Sequence, residues 1–152
     1  MDDIAVIGYI TGAFDRVAIV ESSGDTFFFF EPGDRTMPFA TLVTSEEISA
    51  LDGDGDYRLN VGLTKATYSA LFGAPPRERD EHGVLDTGVD PTTRDRLMPN
   101  PYYASHHWVS VVNPSAATFE SVRPLLAEAY DFAVRKAERR AARTASRDAS
   151  AC

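Results

Sequence analysis

The chain has a single cysteine in 152 residues, Cys152 at its very end. An intrachain disulfide is therefore excluded, and a terminal thiol cannot assemble a cysteine-ligated metal centre or a thiolate site within a packed core. No apolar run approaches the roughly 20 residues needed to cross a bilayer. The start shows no basic segment followed by an apolar stretch and a small-residue cleavage site, so no signal peptide is expected and the cytoplasm is the expected location. Glycine fingerprints for dinucleotides or phosphates, a G-x-S-x-G elbow and a helical H-x-x-x-H pair are all missing. Redox chemistry, membrane insertion and the common cofactor enzymes are set aside on these grounds, and no cofactor is expected.

What is present suits one folded domain, with 43% apolar and 11% aromatic residues. The net charge of −8 conceals an asymmetry. From Arg135 onward six basic residues face two acidic ones, leaving −12 on the rest. So acidic a body repels phosphate backbones. The domain is expected to span residues 1–134, with residues 135–152 a basic, alanine-rich tail, frayed as a helix or disordered, because past Val134 the only apolar residues are alanines and the cysteine. Nucleic-acid binding through this tail is the least favoured of three functions weighed; it predicts steep salt dependence that vanishes when the chain is cut after Val134. The plainer reading is a solvated helix end whose cations suit the negative pole of the helix dipole.

"GDTFFFFEPGD" places four phenylalanines in a row. Successive side chains on a strand point to opposite faces, so Phe27 and Phe29 share one face of a sheet and Phe28 and Phe30 the other. Before this run, "RVAIVE" forms the first arm of a hairpin turned at Ser22, Ser23, Gly24 and Asp25, and "PFATLVT" supplies a third strand. "YRLNVGL" alternates, with Tyr57, Leu59, Val61 and Leu63 on one face and Arg58, Asn60 and Gly62 on the other. A fifth strand is expected in "HWVSVV". Helices are expected from Asp2 with Ile4, Ile7, Ile10 and Phe14 as the stripe, from the Thr64 N-cap to Gly73 with Tyr68, Leu71 and Phe72, and from about Thr118 with Phe119, Val122, Leu126, Ala129 and Ala133. "SEEISALDGDGD" reads as a capped helical turn running into an aspartate and glycine loop, and residues 74–93 as a long mobile loop. The expected class is α+β: one antiparallel sheet of about five strands with helices on one face, in the order helix, four strands, helix, loop, strand, helix.

"GDTFFFFEP", "PFATLVT", "YRLNVGLTKATYSALFG", "DRLMPNPYY" and "WVSVVNPSAATFESVRPLLAEAYDFA" together resemble an actinobacterial family catalogued as domain of unknown function 6194. The last of these, with the aromatic and histidine residues before it, more distantly resembles the MmcQ/YjbR-like proteins, whose fold is of the CyaY or frataxin type. That second resemblance implies an antiparallel sheet backed by helices with its other face open. Neither implies an activity or catalytic residues.

Three candidate chemistries follow from the residues. "DGDGD" at Asp52 to Asp56 suggests a calcium loop, but Tyr57 stands where an EF-hand needs glycine and Leu63 where it needs a bidentate glutamate, so a turn is expected and no metal. His106 and His107 would point oppositely on a strand, and only His82 remains as a third imidazole, which leaves a zinc set incomplete. Ser105 and Ser115 sit in ordinary loop chemistry. A proton carrier, His106 or His107, with Arg58 stabilising negative charge is the enzymatic alternative. The leading expectation is a cofactor-free binding module whose open face, carrying one phenylalanine pair, Arg58, Asn60 and Trp108 beneath the 74–93 loop, receives a small molecule or protein partner. A second copy of the chain is a further possible cover for that face.

Overall fold

The computed structural model describes residues 1–33, 35–52 and 54–150. Gly53 and the Asp52 side chain, both in the expected aspartate turn, and Cys152 lie outside the described residues. In chain order the elements are α1 (Asp3–Ala13), β1 (Val17–Ser22), β2 (Asp25–Phe30), β3 (Ala40–Val43), β4 (Ser45–Glu46), β5 (Leu51–Asp52), β6 (Arg58–Gly62), α2 (Lys65–Phe72), β7 (Met98–Pro99), β8 (Trp108–Val112) and α3 (Ala116–Ser150). One short 3-10 turn, Ala104–His106, precedes β8. The class is α+β, with an antiparallel sheet of six strands, β1-β2-β3-β6-β8-β7, where about five were expected. The strand missed by sequence is β7. It is two residues long and contains Pro99, which has no ladder N–H to give, so it fits only at a sheet edge.

The Ser23-Gly24 turn joins β1 to β2 with both residues at positive φ, 53° and 84°, the combination that matches the twist of a two-residue hairpin. Alternation then distributes the four phenylalanines. Phe28 pairs across to Ala40, which faces Val61, and Leu42 faces Leu59; with Val109 and Val111 these residues form one face. All three helices close over it, contributing Val6 and Ile10 from α1, Tyr68 from α2, and Phe119, Val122, Leu126 and Ala129 from α3. Phe30 lies on the same side, edge-on to Tyr130 at 5.7 Å. Burial of these apolar side chains is the main force holding helices to sheet.

Two helical stripes differ from expectation. Asp2 caps α1 by accepting from the Ala5 N–H at 2.8 Å, and Val6 and Ile10 turn inward. Ile4, about 200° round the axis from Val6, is left 75% exposed. In α2 Tyr68 is buried and Phe72 partly so, while Leu71 stays exposed. Residues 45–52 form a small β4-β5 hairpin where a helical turn was expected. α3 continues past Val134 to Ser150; Pro124, well inside it, withholds the N–H that would have bonded the Glu120 carbonyl. Beyond Val134 the helix still touches the body, for a Cβ added to Gly33 would stand 3.7 Å from Ala137 Cβ.

Candidate functional site

Directions alternate in an antiparallel sheet, so the start of β6 lies beside the ends of β3 and β8, and the end of β6 beside the starts of β3 and β8. The helix-free face therefore has two ends. Arg58 marks one and Trp108 the other, with Asn60 and Ser110 between them.

At the Arg58 end the expected recognition residues are enclosed. Arg58 is 3% exposed; it pairs with Glu46, donates from Nη1 to Ser49 Oγ at 2.7 Å, and donates from Nε to Asn60 Oδ1 at 2.9 Å. The same Asn60 oxygen accepts from Ser110 Oγ at 2.7 Å and from Asn100 Nδ2 at 2.9 Å, while Asn60 Nδ2 donates to Thr41 Oγ1 at 3.0 Å. Asn100 in turn accepts from the Tyr102 and Tyr103 N–H groups. The buried Arg58, Asn60, Asn100 and Ser110 side chains all have hydrogen-bond partners, which such burial requires, while Glu46 Oε2 makes only its ion pair with Arg58. Leu51 from β5, Met98 and Val112, with Val43 and Val89 packed against them, form an apolar cluster beside this network. Arg94 ties that cover down by donating to the Ser49 and Ala50 carbonyls at 2.8 and 3.0 Å and pairing with Asp56 at 3.2 Å.

The 74–93 segment is better ordered than a free loop. Asp80 accepts from the His82 and Val84 N–H groups at 2.8 and 3.0 Å, and these bonds hold its carboxyl below the usual carboxylate range. Leu85 is buried in the helix-side core, and Val89 packs on the opposite side of the sheet.

At the Trp108 end the surface stays indented. The indole lies across Gly62, so close that a Cβ there would stand 2.9 Å from its Cε2 and Cζ2 atoms. Only glycine allows that approach. Trp108, Phe30, Phe39 and Phe132 line a cleft of about 320 Å³ between the sheet end and the middle of α3. Met37 and Pro38, from the connection into β3, form its outer wall. Lys136, Arg139, Arg140 and Arg143 line its α3 side. They follow Phe132 and Ala133 at helical spacing, so one face of α3 passes from apolar to cationic as it leaves the sheet. Burial, and secondly the charge of Arg139, lowers the pKa of Lys136 from its ordinary value.

The remaining expected residues divide. Phe27 and Phe29 share the Arg58 face, Phe29 buried and Phe27 partly so, but neither lines the cleft. Phe30 does, from the helix side. His106 and His107 precede the strand instead of lying on it: His106 ends the 3-10 turn and lines the cleft, while His107 sits at φ 71° with its ring 5.7 Å from Tyr68. Sequence reasoning missed the tail cations as lining residues; their three- and four-residue spacing after Phe132 was the available signal. Among the described residues no group of three or more His, Cys, Asp or Glu stands together in a way that could hold a metal, and no helix is long and apolar enough to cross a membrane.

No curated protein and no solved structure matches the chain. A family model does match, over residues 1–142, and by that match the chain belongs to the family of unknown function DUF6194.

Proposed function

We propose that the protein is a cofactor-free, cytoplasmic binding module for a small molecule, and that its site is the cleft where the Trp108 end of the sheet meets α3. The observation carrying this reading is the cleft of about 320 Å³, whose aromatic lining comes from four separate parts of the chain, β2, the connection into β3, β8 and α3. Small-molecule sites are concave and mainly apolar, with a few polar groups placed at the edge. Arg58 and Asn60 enter this reading as the support that holds the sheet rigid, since their hydrogen-bonding capacity is directed to their neighbours. An actinobacterial origin and an MmcQ/YjbR-like fold of the CyaY type remain part of the proposal, supported by the residues that resemble those families and by the helices gathered on one sheet face.

The direct test is native mass spectrometry of the gently desalted protein, with a denatured sample for comparison. A small mass lost on denaturation is the expected result, and binding of that compound should change the emission of the protein's only tryptophan. A ligand-free dimer would instead direct attention to protein partners. The enzymatic alternative rests on His106 reaching the cleft. It requires turnover of the bound compound that falls with loss of the imidazole, so unchanged turnover in His106→Ala would dismiss it.

A further inference from the structure

The cleft has two chemically unlike sides, and the contrast narrows what it can hold. Its inner side is aromatic, from Phe30, Trp108 and Phe132. Its α3 side carries Lys136, Arg139, Arg140 and Arg143 in a chain whose net charge is −8. In an acidic protein four cations beside one aromatic depression are a local reversal of sign. Earlier on α3, before residue 136, basic side chains have acidic neighbours: Arg123 pairs with Glu120 at 3.1 Å, and Arg135 with Asp131 at 3.0 Å. Among the described residues Arg139 and Arg143 have no such carboxylate partner, and the Lys136 ammonium lies 4.4 Å from the centre of the Phe132 ring. That placement sets a positive charge where apolar and polar parts of a ligand would meet.

We propose that the cleft takes an amphipathic organic anion: an apolar or aromatic body against Trp108, Phe30 and Phe132, and a carboxylate or phosphate head against Lys136, Arg139 and Arg143. This rests on the small-molecule reading of the same cleft. Guanidinium groups present paired N–H donors that match either head geometrically, and a charge-assisted hydrogen bond to an anion is about twice as strong as a neutral one. The volume limits the body to a single compact group of drug-like size or less. A long polymer would meet a body of net charge −12 beyond the tail.

The test compares two fluorescent probes of similar aromatic size, 1-anilinonaphthalene-8-sulfonate and the neutral N-phenyl-1-naphthylamine, each followed by energy transfer from Trp108. The full chain is measured beside a Lys136→Gln, Arg139→Gln, Arg143→Gln variant whose folding is checked by circular dichroism. The expected result is saturable one-to-one binding of the anionic probe, at least about tenfold tighter than the neutral one, with that preference lost in the variant. Decanoate and decyl phosphate as competitors then distinguish the two heads, the stronger displacer naming the natural one. Equal binding of both probes overturns the anion inference and leaves the small-molecule cleft standing. Binding of neither probe overturns both. Cation-dependent sedimentation with phosphatidylglycerol vesicles, without displacement by the soluble competitors, overturns the inference in favour of a membrane surface.

Discussion

The two ends of the helix-free face begin from similar material and finish differently. Both have side chains of β6 and β8 that alternate away from the helices. At the Arg58 end the β4-β5 hairpin and residues 89–98 supply a cover, and the buried polar side chains bond to one another. At the Trp108 end the neighbouring element is the middle of α3, which supplies the apolar side chains of Phe132 and Ala133 and, from Lys136 onward, mainly cations. At the first end Arg58, Asn60 and Ser110 are buried, and at the second a cleft persists. A buried polar network thus marks where this face was closed by the chain itself, and an aromatic depression lined by cations marks where it was not.

The largest effect expected from breaking this contrast comes from Arg58→Ala. It strips the partner from the Glu46 carboxylate and takes a donor from Ser49, while Asn60 Oδ1 keeps those of Ser110 and Asn100. Breaking a largely buried pair of this kind costs about 3 kcal/mol, which for a chain of this size lowers Tm by about 10 °C. Calorimetry checks the loss. Probe affinity of the folded fraction should be unchanged, because Arg58 does not line the cleft; a specific loss of binding with stability retained would place recognition back at the Arg58 end.

A smaller but more local effect is expected from Gly62→Ala. The added methyl would meet the indole at 2.9 Å, so Trp108 must shift. Overpacking costs about 1–3 kcal/mol, and here the displaced ring is itself part of the cleft lining. Tryptophan emission should change in the unliganded protein and probe binding should fall with it, which is the reverse of the pattern expected at Arg58. Trp108→Phe in the Gly62→Ala background should recover part of the stability, since a smaller ring relieves the contact.

Much of this contrast was legible in the sequence, but unevenly. Strict alternation in "YRLNVGL" and in the phenylalanine run was enough to assign Leu59 and Val61 to the core and Arg58 and Asn60 to the other face, because period two carries facing directly. Alternation does not say what covers a face. Leu85 reaches the core from a segment of proline, glycine and charge, and Met98–Pro99 joins the sheet as only two residues, so neither has a periodic signature. The contact of Gly62 with Trp108 depends on the pairing register across β6 and β8, a non-local quantity. The cationic stripe of α3 was visible as spacing, yet its neighbour, the connection between β2 and β3, was not.

The smallest effect concerns pH and tests whether Lys136 belongs to the open end in a functional sense. Its pKa is lowered first by burial and secondly by Arg139. A lysine whose folded pKa is depressed releases its proton at lower pH in the native protein than in the unfolded chain. In that alkaline window this group binds more protons in the unfolded state, and its own contribution to native stability rises slightly with pH. Anion binding has the opposite sign, since the bound head favours the ammonium, so affinity should fall as pH rises through the same window. Arginine side chains hold their charge across the accessible pH range, so Arg139, Arg140 and Arg143 cannot produce this loss. His106, which also lines the cleft, is separated by measuring His106→Ala in parallel. Because the raised pKa values of Tyr57, Tyr68, Tyr102 and Tyr130 make total stability fall in alkali, the contribution of Lys136 is read as the difference in stability between the native chain and Lys136→Gln. That difference rising with pH while affinity falls, with the fall abolished in Lys136→Gln, would tie the cation to the ligand head; affinity that stays level through the window would detach Lys136 from the site and leave the anion to Arg139 and Arg143.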